Sequence, residues 1–205
     1  MDGNAHVRGA PAKLLTLSQL AQAASPGGNR PPGMEPSLEA RRYFETHASP
    51  YSYGVHAVVA EVDAETGQAR VVRYAVASDA GRLINPSIVE GQIVGGIAQG
   101  LGGAMMEELA YDAAGQLVAS TLMDYPLPNA SDVPNIQITH LETPTPLNPL
   151  GVKGLGEGGA IAGHAAVTNA VADAVARLGA RVTQTPLRPE AVRDLIQRAR
   201  AAINA

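Results

Sequence analysis

Glu157 is a lone carboxylate in the glycine-rich run Gly151-Val152-Lys153-Gly154-Leu155-Gly156-Glu157-Gly158-Gly159, just ahead of an almost wholly apolar segment. A charge at such a place is costly unless something uses it. Glycine on both sides frees the backbone for φ > 0 and lets a bulky partner approach the carboxylate. The segment from Ala160 to Leu178 reads as a helix, whose N-terminal dipole favours the ionised form. The loop is therefore a candidate address for a general base, with burial expected to raise the Glu157 pKa and contact with Lys153 to lower it. The competing reading is helix capping, for which a carboxylate needs no catalytic purpose. From the residues alone, capping is favoured.

A second candidate set lies upstream. Gly91, Gly95, Gly96, Gly100, Gly102 and Gly103 fall inside or at the end of a helix predicted over Ser87 to Leu109. Each interior glycine costs a helix about 1 kcal/mol relative to Ala, so packing or a ligand must offset the sum. Helical spacing puts Gln92, Gly95, Gly96, Gln99 and Gly103 on one face. Amides beside bare backbone suit a large polar ligand lying flat. Close helix packing is the plainer explanation of the glycines, and the two glutamines bring the readings level.

Gly154-Leu155-Gly156-Glu157-Gly158-Gly159 also satisfies the GxGxxG pattern. A dinucleotide site needs a buried strand just before it and an acid about twenty residues on. Here Thr143 to Pro149 is proline-rich, and Arg177 to Val182 holds no acid. Glu157 itself would repel a pyrophosphate. A nucleotide site is disfavoured. The five histidines show no metal-ligand spacing, so no metal ligand is assigned to this chain, and His164 reads as a packing residue.

The elements that position these residues read as α+β. Leu14 to Ala24 is expected as a short helix and Ser25 to Pro36 as a Pro/Gly-rich linker. Val55–Val62 and Ala69–Val76 form a predicted β-hairpin about Asp63 to Gly67. Asn85-Pro86 starts the Gly-rich helix, a strand pair is expected near Gln116–Met123 and Asn135–Leu141, and Pro189 to Ala201 closes as an amphipathic helix. Residues 1–50 read as a partial segment that includes this linker and 51–205 as a C-terminal domain.

Composition narrows the classes. The chain has 205 residues, 45% hydrophobic, with six Tyr, one Phe and no Trp, so Ala, Val, Leu and Ile must build the core. Fifteen basic against nineteen acidic residues, without a basic run, argue against nucleic-acid binding. The absence of cysteine excludes disulfides and iron–sulfur ligation by this chain. No signal peptide or membrane span is evident, and the cytoplasm is the default compartment. The chain has two lysines, Lys13 and Lys153, and one of them lies in the Glu157 loop.

Four stretches occur in a fixed order: Gly81 to Pro86, Val89 to Gly102, Met123 to Pro128 and Pro149 to Glu157. Together, from about Leu14 to about Ala176, the chain resembles the C-terminal part of molybdenum hydroxylase large subunits. That family includes the catalytic subunits of xanthine dehydrogenase, aldehyde oxidoreductase and the aerobic carbon monoxide dehydrogenases. The resemblance implies molybdopterin with molybdenum, usually as the cytosine dinucleotide in bacterial members. It places the family's base, which takes a proton from a molybdenum-bound hydroxyl, on Glu157, and so reverses the preference for capping. It sets the cofactor-side Gln on Gln92, with Gly91, Gly95 and Gly96 around it and Lys153, Gly154 and Gly156 in the second loop. It further implies a small-molecule substrate, with iron–sulfur and FAD groups carried by partner subunits.

Family large subunits are several times longer, and relatives run from a preceding helix into a turn like Asp2-Gly3. The chain is accordingly expected to be half of a split subunit or a truncated product, unable to hold the cofactor alone. A non-catalytic assembly subunit stands as the alternative.

Overall fold

A computed structural model describes residues 3–203; Asp2, the first half of the turn noted above, lies outside them. Two compact units are present, Met1–Glu45 and Thr46–Ala205.

In the first unit, strands β1 (Asn4–Val7) and β2 (Ala10–Thr16) pair antiparallel and lead into helix α1 (Leu17–Ala24). The helix expected from Leu14 thus begins later. Leu14 and Leu15 pair with His6 and Ala5 on β1, and Thr16 stops the strand with a capping box. Its hydroxyl accepts from the Gln19 amide at 3.1 Å, and the Gln19 side chain accepts from the Thr16 amide at 2.8 Å.

The second unit holds a three-stranded sheet of order β3 (Tyr53–Val62), β4 (Ala69–Asp79) and β5 (Ile136–Leu141). The β3–β4 hairpin forms as predicted, its turn closed by Asp63, whose carboxylate accepts from the Glu65 and Thr66 amides. Strand β4 runs three residues past the expected end because β5 lies parallel to it as far as Asp79↔Leu141. The partner expected for β5 at Gln116–Met123 is not a strand. Asp112 accepts from the Ala114 and Gln116 amides and folds that stretch into a turn, leaving only a Tyr111↔Leu117 bridge. The class is α+β, with one parallel crossover that the sequence reading did not anticipate.

Helices α2 (Pro86–Met105), α3 (Gly158–Ala176) and α4 (Pro189–Ile203) complete the unit. Asn85 caps α2 as predicted, its side chain accepting from Ile88. The helix stops short of Leu109. The Ala104 carbonyl accepts from Leu187 at 2.8 Å, and Glu107 and Glu108 are drawn off to Tyr125 and Arg188.

One core cluster joins Tyr74 and Val76 of β4 to Ile93, Ile97 and Leu101 of α2 and Val167 of α3. A second joins Val171 and Val175 of α3 to Val192 and Ile196 of α4. Both are aliphatic apart from Tyr74. Its hydroxyl shares a 2.7 Å hydrogen bond with His56 Nδ1. Burial pushes Tyr74 up to about 12 and lowers His56 from its ordinary value.

Helices α2 and α3 meet at backbone distance. A Cβ on Gly96 would stand 2.6 Å from the Ala160 nitrogen, and one on Gly100 2.7 Å from that of His164. A Cβ on Gly159 would run into the Ile93 carbonyl oxygen.

Candidate functional site

The loop carrying Glu157 is pinned from several directions. Residues Gly151–Lys153 run beside the end of β4: Arg82 donates to the Gly151 carbonyl at 3.0 Å, and Lys153 donates to that of Ala80 at 2.9 Å. Gly81 pairs with Val152, and Tyr51 with Gly154, whose amide donates to Pro50 at 3.0 Å. Asn148 closes the turn with bonds to both backbone groups of Val152. Leu155 then packs against the first core cluster.

Lys153 departs from expectation. Its ammonium is turned neither to Glu157 nor outward; it lies 3.1 Å from Asp79, with side chains 11% and 0% exposed respectively. It also sits 4.9 Å above the Tyr53 ring. Asp79 accepts in addition from the Gly81 amide at 2.8 Å and the Thr143 amide at 3.2 Å. Burial by itself would raise the Asp79 carboxyl, but bonds from Thr143 and Gly81 and the Lys153 ammonium outweigh it. They hold the group well below the usual carboxylate range. Nothing in the sequence singles out Asp79, which lies beyond the strand expected over Ala69–Val76. The scarcity of lysine was the one hint that Lys153 has a dedicated partner.

Glu157 occupies the N-cap position of α3 with φ 65° and ψ 0°, and among the described residues it is the only non-glycine with positive φ. Its side chain makes no capping hydrogen bond, which removes the capping reading. The residue is exposed in this chain, against the expectation of burial. Two residues beyond it, Gly159 abuts Ile93, the neighbour of Gln92 in sequence.

That second set divides. Gly96 is buried against α3, and Gly103 faces the His164 ring, so both leave the ligand face drawn from helical spacing. Gly91, Gln92, Gly95 and Gln99 are exposed, and a Cβ on Gly91 or Gly95 would meet nothing within 4 Å. Gly156 is likewise open. A cavity of 240 Å³ opens beside Gly158, lined by Tyr53, His56, Ser78, Ile93 and Ile161. A larger one of 650 Å³ lies along α3 at Asn169, Asp173 and Arg177, and the loop takes no part in it. Among the described residues no three His, Cys, Asp or Glu gather to hold a metal. No described helix is long and apolar enough to cross a membrane.

Residues 1–134 match the family model described as molybdopterin cofactor-binding domain. The chain belongs to that family. Its relatives are large subunits of molybdenum enzymes. The chain is 41% identical over 192 residues to the nicotine 6-hydroxylase large subunit of Paenarthrobacter nicotinovorans, covering 93% of itself and 24% of that protein. It is 37% identical to the carbon monoxide dehydrogenase large chain of Afipia carboxidovorans, over 88% of itself and 22% of that protein. The crystal structure of quinoline 2-oxidoreductase from Pseudomonas putida superposes with a TM-score of 0.86 at 45% identity, over 96% of this chain and 25% of that one. The chain thus spans about a quarter of the length of these relatives.

Proposed function

We propose that this chain forms part of the catalytic subunit of a molybdenum hydroxylase, with Glu157 as its general base. The backbone at Glu157 carries the reading. A non-glycine residue in left-handed conformation costs about 1–3 kcal/mol, and such strain concentrates at functional sites. Its carboxylate stands at the head of α3 without capping it. Gly91 and Gly95 support the reading, because neither has a packing partner to offset its cost to the helix.

The residues present fit a pterin ligand. Bare backbone at Gly91 and Gly95 offers a cradle that a Cβ would fill, and the Gln92 amide can both donate to and accept from the polar edges of the ring system. Gly154 and Gly156 carry no side chain to obstruct approach to Glu157. Gly96 serves the helix contact, and Lys153 supports the loop from behind. When bound, the cofactor, in its cytosine dinucleotide form, supplies a molybdenum centre for two-electron oxidation with water-derived oxygen. Glu157 enters ionised and takes up one proton at a carboxylate oxygen.

The substrate is a small molecule, and the nicotine and quinoline in two relatives' names favour an N-heterocycle over carbon monoxide. The remainder of a large subunit completes the site, and iron–sulfur and FAD subunits take the electrons. Coexpression with those partners and metal analysis test the reading. The wild-type complex is expected to contain molybdenum. Glu157→Gln is expected to keep the metal and lose about 100-fold or more in kcat, and undiminished turnover overturns the assignment.

A further inference from the structure

Asp79 sits at the last position of β4 and is wholly buried. Its carboxylate joins its own turn at Gly81 to two places far along the chain: Thr143, where the chain leaves β5, and Lys153 in the glycine-rich loop. We propose that Asp79 is the positioning residue for Glu157, fixing through Lys153 the loop whose far end carries the base. The inference rests on Glu157 having that role, and it concerns how the chain holds the carboxylate still.

A left-handed non-glycine residue persists only where its surroundings over-determine it. Downstream of Glu157 that restraint is the contact of Gly159 with Ile93 and of Ala160 with Gly96. Upstream it is the Asp79–Lys153 pair, the backbone bonds beside it, and Leu155 in the core. Gly156 and Glu157 lie between these two anchors, so the place of the carboxylate follows from where the anchors stand.

Stability alone is a poor reason for the pair, because a buried ion pair can often be replaced by apolar groups at little cost or with gain. What an apolar pair cannot supply is direction. The carboxylate accepts from two backbone amides and one ammonium at once, and Tyr53 on β3 closes the other side of the ammonium. Lys153 is thereby fixed relative to two adjacent strands.

The test uses the molybdenum-loaded complex with its partner subunits. Asp79→Asn retains the shape but turns an N–H donor toward Lys153 or the Thr143 amide. The double variant Asp79→Leu/Lys153→Met removes the pair without leaving a lone buried charge, and so separates positioning from the cost of an orphan. In the double variant the molybdenum-to-protein ratio and KM are expected to stay within about twofold of wild type. The kcat is expected to fall about ten- to a hundredfold. Amide hydrogen exchange over residues 155–161, read without turnover, should quicken about tenfold.

An unchanged kcat and exchange rate in the folded double variant overturns the proposal, and so does collapse of that variant, which would make the pair a folding element only. Failure of the Glu157 assignment is distinguishable. In that case Glu157→Gln keeps its turnover while the exchange effect of removing the pair is still seen.

Discussion

Helix α2 carries two kinds of glycine. Gly96 and Gly100 let a second helix approach to backbone distance, and any side chain there strikes α3. Gly91 and Gly95, one turn from each other and turned off the α3-facing side, face open space. The first pair is explained by what it touches. The second has no such explanation among the described residues, and its cost to the helix goes unrecovered until something lies against it. One helix thus carries both a face that packs and a face that the described residues leave bare.

The largest effect belongs to the packed face. Gly96→Ala is expected to destabilise the unit by about 1–3 kcal/mol, because the new methyl meets the backbone of α3 and no rotamer relieves it. Urea unfolding of the two proteins side by side measures it, and an unchanged midpoint would erase the distinction between the two kinds of glycine.

A pH dependence comes next, and it is confined to the packed side. Burial holds the Tyr74 hydroxyl near 12, against about 10 in an unfolded chain. The folded state therefore keeps its proton where the unfolded state has lost it. The associated stability is complete below about pH 10 and is lost as pH rises toward 12. Tyr74→Phe should remove that alkaline decline in thermal melts, whereas substitutions at Gly91 or Gly95 should leave it in place.

The smallest change in stability is the most telling. Gly95→Ala should stabilise the chain by about 0.5–1 kcal/mol, since the methyl meets nothing and the unfolded chain loses freedom. In the assembled complex the same substitution should lower the molybdenum-to-protein ratio. A stabilised variant with its full metal content would show the open face to be idle.

Much of this was legible in the residues. Asn85-Pro86 announced α2 and the turn at Asp63 announced the hairpin, whereas the glycines around Glu157 pointed to positive φ at themselves and the structure puts it on Glu157. Helical spacing grouped Gly96 and Gly103 with Gln92 on a ligand face, yet periodicity cannot say which edge of a face another helix will take. The partner of Lys153 was hidden because Asp79 lies 74 positions earlier, and no local pattern links a strand end to a loop so distant. The parallel place of β5 was hidden for the same reason. The strand expected at Gln116–Met123 failed because Asp112 folds the stretch before it into a turn.

The distance in sequence between Asp79 and its partners also has a bearing on time. Lys153 lies 74 residues beyond Asp79, and a ribosome adding about 5–20 residues per second needs roughly 4–15 s to make that stretch. Strand β5 ends at Leu141, ahead of Lys153, and until it is made β4 has its hairpin partner on one side only, so the edge that will receive β5 offers its unpaired amides and carbonyls to any other strand. The order of synthesis thus makes the β4 edge the place where a newborn chain is most open to mispairing, and a chaperone that shields it has those few seconds in which to act.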